Sequence, residues 1–278
     1  MAAVLRFVNY QPSKVLSNGA STIRLLATTQ TASEDKEGWF TKLLVPKKEP
    51  FKESHSRMLS DKETIYQLQT HNVKPDSMAE YIKNYENFVK LANQRNDLDA
   101  DLMGSWLVDV GDQDQAIHLW RYNNGYAGLG KANSLLRTES DYTKLHNERS
   151  KFLRSRLNQY LLSFSFWNAP KPRTGPNLYE MRSYTLRAGH LIEWGNSWAR
   201  AIHYRQNESE PFCGMFSQCG RLYNVHHVWV YKDLKTRKEV REAAWQKPGW
   251  DECVAYTVPL IREMESRIMY PTDFSPTK

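Results

Sequence analysis

Apolar and polar residues alternate along 64–73, where Ile65, Gln67 and Gln69 interleave with Tyr66 and Leu68, and this period of two predicts a strand. Pro75 then opens a helix whose Met78, Tyr81, Ile82, Tyr85, Phe88 and Val89 recur at helical spacing. Polar residues 93–101 read as a loop. Strands follow over 102–110 and 115–122, joined by a Gly111-Asp112-Gln113-Asp114 turn. The stretch from Gly125 to about Arg156 reads as helix broken near Thr138, and 158–167 as a closing strand. The order β-α-β-β-α-β is the ferredoxin-like split arrangement, an antiparallel sheet with its helices on one face.

The pattern then repeats. Ile65-Tyr66-Gln67-Leu68 finds its counterpart in Leu178-Tyr179-Glu180-Met181. Gly111 followed by Ile117-His118-Leu119-Trp120-Arg121-Tyr122 matches Gly220 followed by His226-His227-Val228-Trp229-Val230-Tyr231. A period of about 110 residues is too long for a solenoid unit and implies two copies of one small domain. The second copy has a strand over 178–186 and a helix bearing Leu191, Trp194, Trp198, Ala201 and Ile202. A hairpin from Phe212 to Tyr231 follows, then helical segments to Glu265 with a break at Pro248-Gly249, and a short strand over 266–270. Helices on one face leave the other face of each sheet bare, and two such sheets can cover one another by closing into a barrel. The expected fold is therefore α+β: tandem ferredoxin-like repeats over 63–167 and 177–271. They are joined by a Pro-rich linker (168–176), followed by a tail (272–278), and form one pseudo-symmetric antiparallel barrel.

Flanking composition adds a leader. Residues 1–29 carry Arg6, Lys14 and Arg24, several Ser and Thr, and no acid, the composition of a mitochondrial transit peptide. These three cations account for part of the formal charge of +7, leaving +4 for the remainder (7 − 3). Elsewhere basic residues alternate with acids, as in Arg237-Lys238-Glu239-Val240-Arg241-Glu242, a solvated helix face rather than a stripe for nucleic acid. No apolar run reaches the ~18 residues of a membrane span. Three cysteines without Cys-x-x-Cys spacing argue for a reducing compartment and against a disulfide scaffold or structural zinc. Residues 30–62 read as an arm. Within it Phe40-Thr41-Lys42-Leu43 has the aromatic-x-x-aliphatic form that autophagy receptors accept as an added strand, which makes Phe40 and Leu43 candidate receptor contacts.

Candidate chemistry sits on the strands. One parity of the second copy presents Glu180, Arg182 and Tyr184 with His227, Trp229 and Tyr231, and the first copy offers His118, Trp120 and Tyr122. Pointed into the barrel lumen, this set would bind a small polar aromatic ligand, with Glu180 and His227 as an acid–base pair. The competing reading is that Glu180 and Arg182 neutralise one another and the rings fill the barrel; buried polar groups pair in any case, which favours it. His226 and His227 cannot hold one metal ion, because adjacent strand residues face opposite ways; neither a metal nor a cofactor is expected. Gly125-Tyr126-Ala127-Gly128-Leu129-Gly130-Lys131-Ala132 imitates a phosphate loop, but Ala132 stands where Ser or Thr must hold magnesium. Hydrolase, dinucleotide and zinc-protease motifs are missing, so no catalytic residue is assigned.

Longer motifs carry a resemblance. Ile192-Glu193-Trp194-Gly195-Asn196-Ser197-Trp198-Ala199-Arg200-Ala201-Ile202, Tyr204-Arg205-Gln206, Met264-Glu265-Ser266-Arg267-Ile268-Met269 and Gln113-Asp114-Gln115-Ala116-Ile117-His118-Leu119-Trp120 resemble the NIPSNAP family over about 38–276. The resemblance implies the dimeric α/β-barrel fold and a mitochondrial matrix protein associated with membranes. It also implies a non-enzymatic role in quality control: surface accumulation on depolarised mitochondria and recruitment of autophagy receptors and adaptors for mitophagy. Other mitochondrial proteins are implied partners, and pairing of barrels into a homo-oligomer stays open. The superfamily also contains cofactor-independent monooxygenases, so a small-molecule-binding or oxidising barrel is the alternative.

Overall fold

A computed structural model of the chain describes residues 54–206 and 210–278. The presequence expected over 1–29, and most of the arm with Phe40 and Leu43, lie outside the described residues. From Ser54, whose hydroxyl accepts from the Arg57 amide, the short helix α1 (His55–Leu59) places Leu59 in the core. Strand β1 (Ile65–Val73) leads through a 3-10 turn at Pro75–Ser77 into α2 (Met78–Asn93), then β2 (Asp101–Val110) and β3 (Gln115–Tyr122). Helices α3 (Gly125–Thr138) and α4 (Ser140–Phe152) precede β4 (Leu153–Ser163). The second half runs β5 (Leu178–Leu186), α5 (Leu191–Ala201), α6 (His203–Gln206), β6 (Glu210–Cys219), β7 (Asn224–Tyr231), α7 (Leu234–Trp245), α8 (Trp250–Thr257), a 3-10 turn at Val258–Leu260 and β8 (Ile261–Pro271).

The strands close a barrel in the order β1-β3-β2-β8-β5-β7-β6-β4, every pair antiparallel. Each half is thus a four-stranded ferredoxin-like sheet, and the halves meet at two related seams, β2 with β8 and β4 with β6. The hairpin turns repeat as well. Gly111 and Asp114 in one, and Gly220 and Tyr223 in the other, take positive φ, where glycine has no Cβ to clash and a single αL residue completes the turn.

Three apolar clusters define the layers. Tyr66, Leu68, Met103, Trp106, Ile117, Leu119, Tyr179, Met181, Val228 and Met269, drawn from both halves, fill the barrel interior. A second cluster packs the outer face of the first sheet against α2, whose Tyr81, Tyr85, Phe88, Val89 and Ala92 are buried at helical spacing. A third packs the outer face of the second sheet against Trp194 and Trp198 of α5, Val240 and Ala244 of α7 and Trp250 of α8. At the seam Gly214 has no room for a side chain: a Cβ there would meet the Trp167 ring at 2.1 Å.

Two boundaries differ from the sequence expectation for one physical reason. Strand β4 begins at Leu153, where helix was expected to run to Arg156, and β8 begins at Ile261 rather than near Ser266. The first halves of both strands are largely solvent-exposed, so no hydrophobic alternation marks them, and their backbone pairing with β1 and β5 holds them extended. The segment expected as a tail is also built in. Thr272, Ser275 and Thr277 are buried, the Thr277 hydroxyl donates to the Met103 carbonyl at 2.6 Å, and the Tyr179 hydroxyl donates to the Lys278 carbonyl at 2.9 Å.

Candidate functional site

Strand parity brings Glu180, Arg182, Tyr184, His227, Trp229 and Tyr231 together, but not in the lumen. The interior takes Tyr179, Met181, Val228 and Val230; the six candidates face the helices. His118 and Trp120 are likewise on the outer face, under α2. Both parities of these strands carry large apolar residues, because one face lines the barrel and the other supports helices, so alternation alone cannot say which is inside. The lumen assignment is corrected accordingly: each half carries a cavity between sheet and helices.

In the second half Glu180 is fully buried and saturated. Its Oε1 accepts from Arg182 Nη1 (2.9 Å), Arg237 Nη2 (2.7 Å) and Ser266 Oγ (2.7 Å), and its Oε2 from Arg237 Nε (3.0 Å) and the Tyr231 hydroxyl (3.3 Å). Burial alone would push this carboxyl up, but the Arg237 hydrogen bonds and the Arg182 charge outweigh it and hold Glu180 well below the usual carboxylate range. Register sets Glu180 opposite Trp229 and Arg182 opposite His227, and Glu180 does not bond His227. The expected acid–base pair is therefore not assembled: the carboxylate is an engaged anion.

His227 is bonded on one side only. The Trp229 indole, which can only donate, gives its N–H to Nδ1 at 2.6 Å. Burial, then the Arg182 and Arg205 charges, hold this imidazole neutral. Its proton must then be on Nε2, where no acceptor stands among the described residues. The ring lines a cavity of about 160 Å³ with Arg182, Arg205, Arg241, Trp194, Trp198 and Trp250. The indole N–H groups of these three tryptophans are also buried without an acceptor among the described residues. Arg205, 3% exposed, lies over the Trp229 ring at 4.3 Å and donates to the Tyr231 hydroxyl at 3.0 Å. Among the described residues no acidic side chain lines this cavity.

The first half shows the same plan with neutral polar groups. The Tyr81 hydroxyl bridges His118 Nε2 and His71 Nδ1, both at 2.7 Å, while His118 Nδ1 pairs with Ser105 Oγ at 2.9 Å and its ring stacks on Tyr85 at 3.6 Å. Trp120 donates to the Tyr85 hydroxyl (2.9 Å), which donates to Gln69 (2.7 Å). Burial holds both histidines neutral, His71 at about 3. Gln67, Gln69 and His71 stand where the second half has Glu180, Arg182 and Tyr184. The adjoining cavity, about 520 Å³, is lined by His71, Trp120 and Arg149 among others.

Sequence reasoning missed Arg149, Arg205 and Arg241. For Arg149 a signal existed: Tyr142, Leu145, Arg149 and Phe152 keep heptad-like spacing, so an arginine occupies a core-facing position of α4. Trp194 and Trp198 were read as the buried face of a helix, which they are, without the cavity they also line. His226 faces inward, bonded to Ser183 Oγ (2.8 Å) and Gln159 Oε1 (3.1 Å). Among the described residues no cluster of three His, Cys, Asp or Glu is placed to hold a metal ion, and no helix is long and apolar enough to cross a membrane.

These features define a fused α/β barrel, two ferredoxin-like units whose outer sheet faces and covering helices enclose a cationic, aromatic cavity each. The NIPSNAP family profile matches both units, over residues 66–166 and 179–276. The chain belongs to the NIPSNAP family. It is 59% identical to Protein NipSnap of Drosophila melanogaster over 93% of this chain and 94% of that one. It is 49% identical to Protein NipSnap homolog 2 of Homo sapiens over 91% and 90%. A solved anthrone oxidase-like protein superposes with a TM-score of 0.55 over 79% of this chain and 96% of that one, at 10% identity, a likeness of fold alone.

Proposed function

We propose that this chain is a non-enzymatic mitochondrial protein of organelle quality control. In healthy mitochondria the cationic, acid-free leader draws it to the matrix, where it associates with membranes; on depolarised ones import stops and it accumulates on the outer surface. There it recruits autophagy receptors and adaptors, with Phe40 and Leu43 as candidate contacts. Membership of the NIPSNAP family across both repeats is the observation that carries this reading. The physical logic is that a cationic presequence needs a membrane potential to enter, about 2.3 kcal/mol per charge for each 100 mV. Location then becomes the signal and no conformational switch is needed. The locked Glu180 agrees with a non-enzymatic role, since a carboxylate held by five donors is poorly placed to exchange protons. Proximity labelling with and without an uncoupler tests the proposal: autophagy receptors and adaptors should appear among labelled neighbours only after depolarisation, and an unchanged surface partner set would sink it.

A second reading, ligand binding by the second-half cavity, is favoured by the Nε2 proton of His227, left without an acceptor among the described residues in a cavity that Arg241 also lines. Replacing His227 with Phe should then abolish ligand-dependent stabilisation while leaving receptor recruitment intact; loss of both would point to a structural role only.

A further inference from the structure

The first-half cavity contains a charge with no counterpart. Arg149 is 4% exposed, yet among the described residues its guanidinium meets no carboxylate and makes no hydrogen bond. Its contacts are the faces of Tyr85 at 4.9 Å and Phe88 at 4.8 Å. Cation–π contacts contribute about 0.5–2 kcal/mol each. The rings offer no acceptor for its N–H groups, which are left to the cavity that Arg149 lines. The neighbouring carboxylate, Glu148, is turned to Asn84 Nδ2 at 2.9 Å. None of the described residues lining the cavity is acidic, and of its two histidines burial holds His71 neutral, while burial and the Arg156 and Arg149 charges push His146 down. A cation kept at a core-facing helix position, with no anionic partner among the described residues, is a site awaiting an anion.

The geometry points to a binding site for a small organic monoanion, a carboxylate on a flat apolar body, with Arg149 as its counter-ion. The cavity, about 520 Å³, falls in the usual range for small-molecule sites, roughly 300–1,000 Å³. Its rings, Phe88, Trp120 and Tyr142, suit a planar body. The guanidinium fork suits a carboxylate, which it can hold through two parallel N–H bonds. Gln69, whose Oε1 accepts from Tyr85, keeps its amide nitrogen as a further donor on the same wall. The charge count selects a monoanion: one arginine is buried, whereas Arg137 and Arg156, which also line the cavity, are exposed and mark its mouth. In the second half the corresponding position, four residues ahead of the last strand, is Thr257, so this counter-ion belongs to the first repeat. The site is distinct from the His227 cavity and stands independently of the quality-control reading.

Titration calorimetry and tryptophan fluorescence on the full chain test it, with naphthoate, its neutral isostere naphthamide, and inorganic phosphate. Naphthoate should bind saturably, roughly in the submillimolar range. Naphthamide should bind at least about tenfold more weakly, and phosphate should not compete. Arg149→Met should weaken naphthoate by roughly thirtyfold or more, since it removes one partner of a desolvated charge pair. The free R149M protein should melt no lower than the parent, because it loses a buried charge and keeps the volume. Arg137→Gln, at the mouth, should shift affinity less than about threefold. The proposal falls if naphthoate does not saturate, if the amide binds as well, if phosphate displaces naphthoate, or if R149M leaves affinity unchanged. A melting temperature more than about 5 °C lower in R149M would instead mark Arg149 as a structural cation and equally overturn it.

Discussion

Replacing Glu180 with Gln removes the one buried anion that Arg182 and Arg237 share while keeping size and shape. The wild-type carboxylate accepts five hydrogen bonds and donates none. A carboxamide has one accepting oxygen, so its NH2 must face either the Arg237 Nε and Tyr231 donors or the Arg182, Arg237 and Ser266 donors, and donor meets donor. Breaking a buried ion pair from one side costs about 3–5 kcal/mol. Here Arg182 and Arg237 retain 13% and 25% of their side-chain exposure, so solvent screening places the loss near the lower end, about 3 kcal/mol. For a folded unit of this size that corresponds to a fall in melting temperature of roughly 6–12 °C. Scanning calorimetry and urea unfolding at neutral pH measure it. The folded-state pKa of Glu180 is depressed, so its contribution is fully present above the unfolded value, near 4.3, and is lost as pH falls through the folded one. The gap between wild type and E180Q should therefore stay constant down to about pH 5 and narrow below it. A gap under about 0.5 kcal/mol at neutral pH, or one that widens in acid, would refute the account of Glu180 as the anion holding these cations.

Two further outcomes follow from the same layers. Burial holds His71, His118, His226 and His227 neutral, with folded pKa values below their unfolded value near 6.5, so the unfolded chain binds more protons in acid and stability is lost as pH falls below about 6.5. The urea midpoint should drop steeply between pH 6.5 and 5, each histidine contributing up to about 1.4 kcal/mol per pH unit; a flat profile would contradict the burial argument. Gly214→Ala puts a methyl 2.1 Å from the Trp167 ring, and displacing that ring from its place against His227 and Trp229 should cost about 1–3 kcal/mol, read as a lower melting temperature with altered tryptophan emission. An unchanged melting temperature would mean that Trp167 shifts freely.

The duplication was legible because it is written in residues of strong local meaning. Gly111 and Gly220 mark turns, and His118-Leu119-Trp120 and His227-Val228-Trp229 keep their phase within strands. Such periodicity and turn chemistry are local properties, and they suffice for the order of elements, the pairing within each half and the closure of two bare sheets on one another. Which face of each strand looks inward is not local. Tyr179 and Met181 alternate with Glu180 and Arg182 on a strand buried from both sides, and only closure of the barrel assigns the first pair to its interior and the second to the helices. The exposed beginnings of β4 and β8 are extended because of their neighbours, not their own residues.

The same division holds for the chemistry. Residue types alone announced a carboxylate, imidazoles, cations and rings on one parity, because side chains two apart on a strand must share a face. Partners were decided in three dimensions, where Glu180 meets Arg237 across 57 residues of chain and Arg149 lies over the rings of Tyr85 and Phe88. Electrostatic pairing depends on distances of a few ångströms and on the loss of water, and neither is set until the helices close over the sheet.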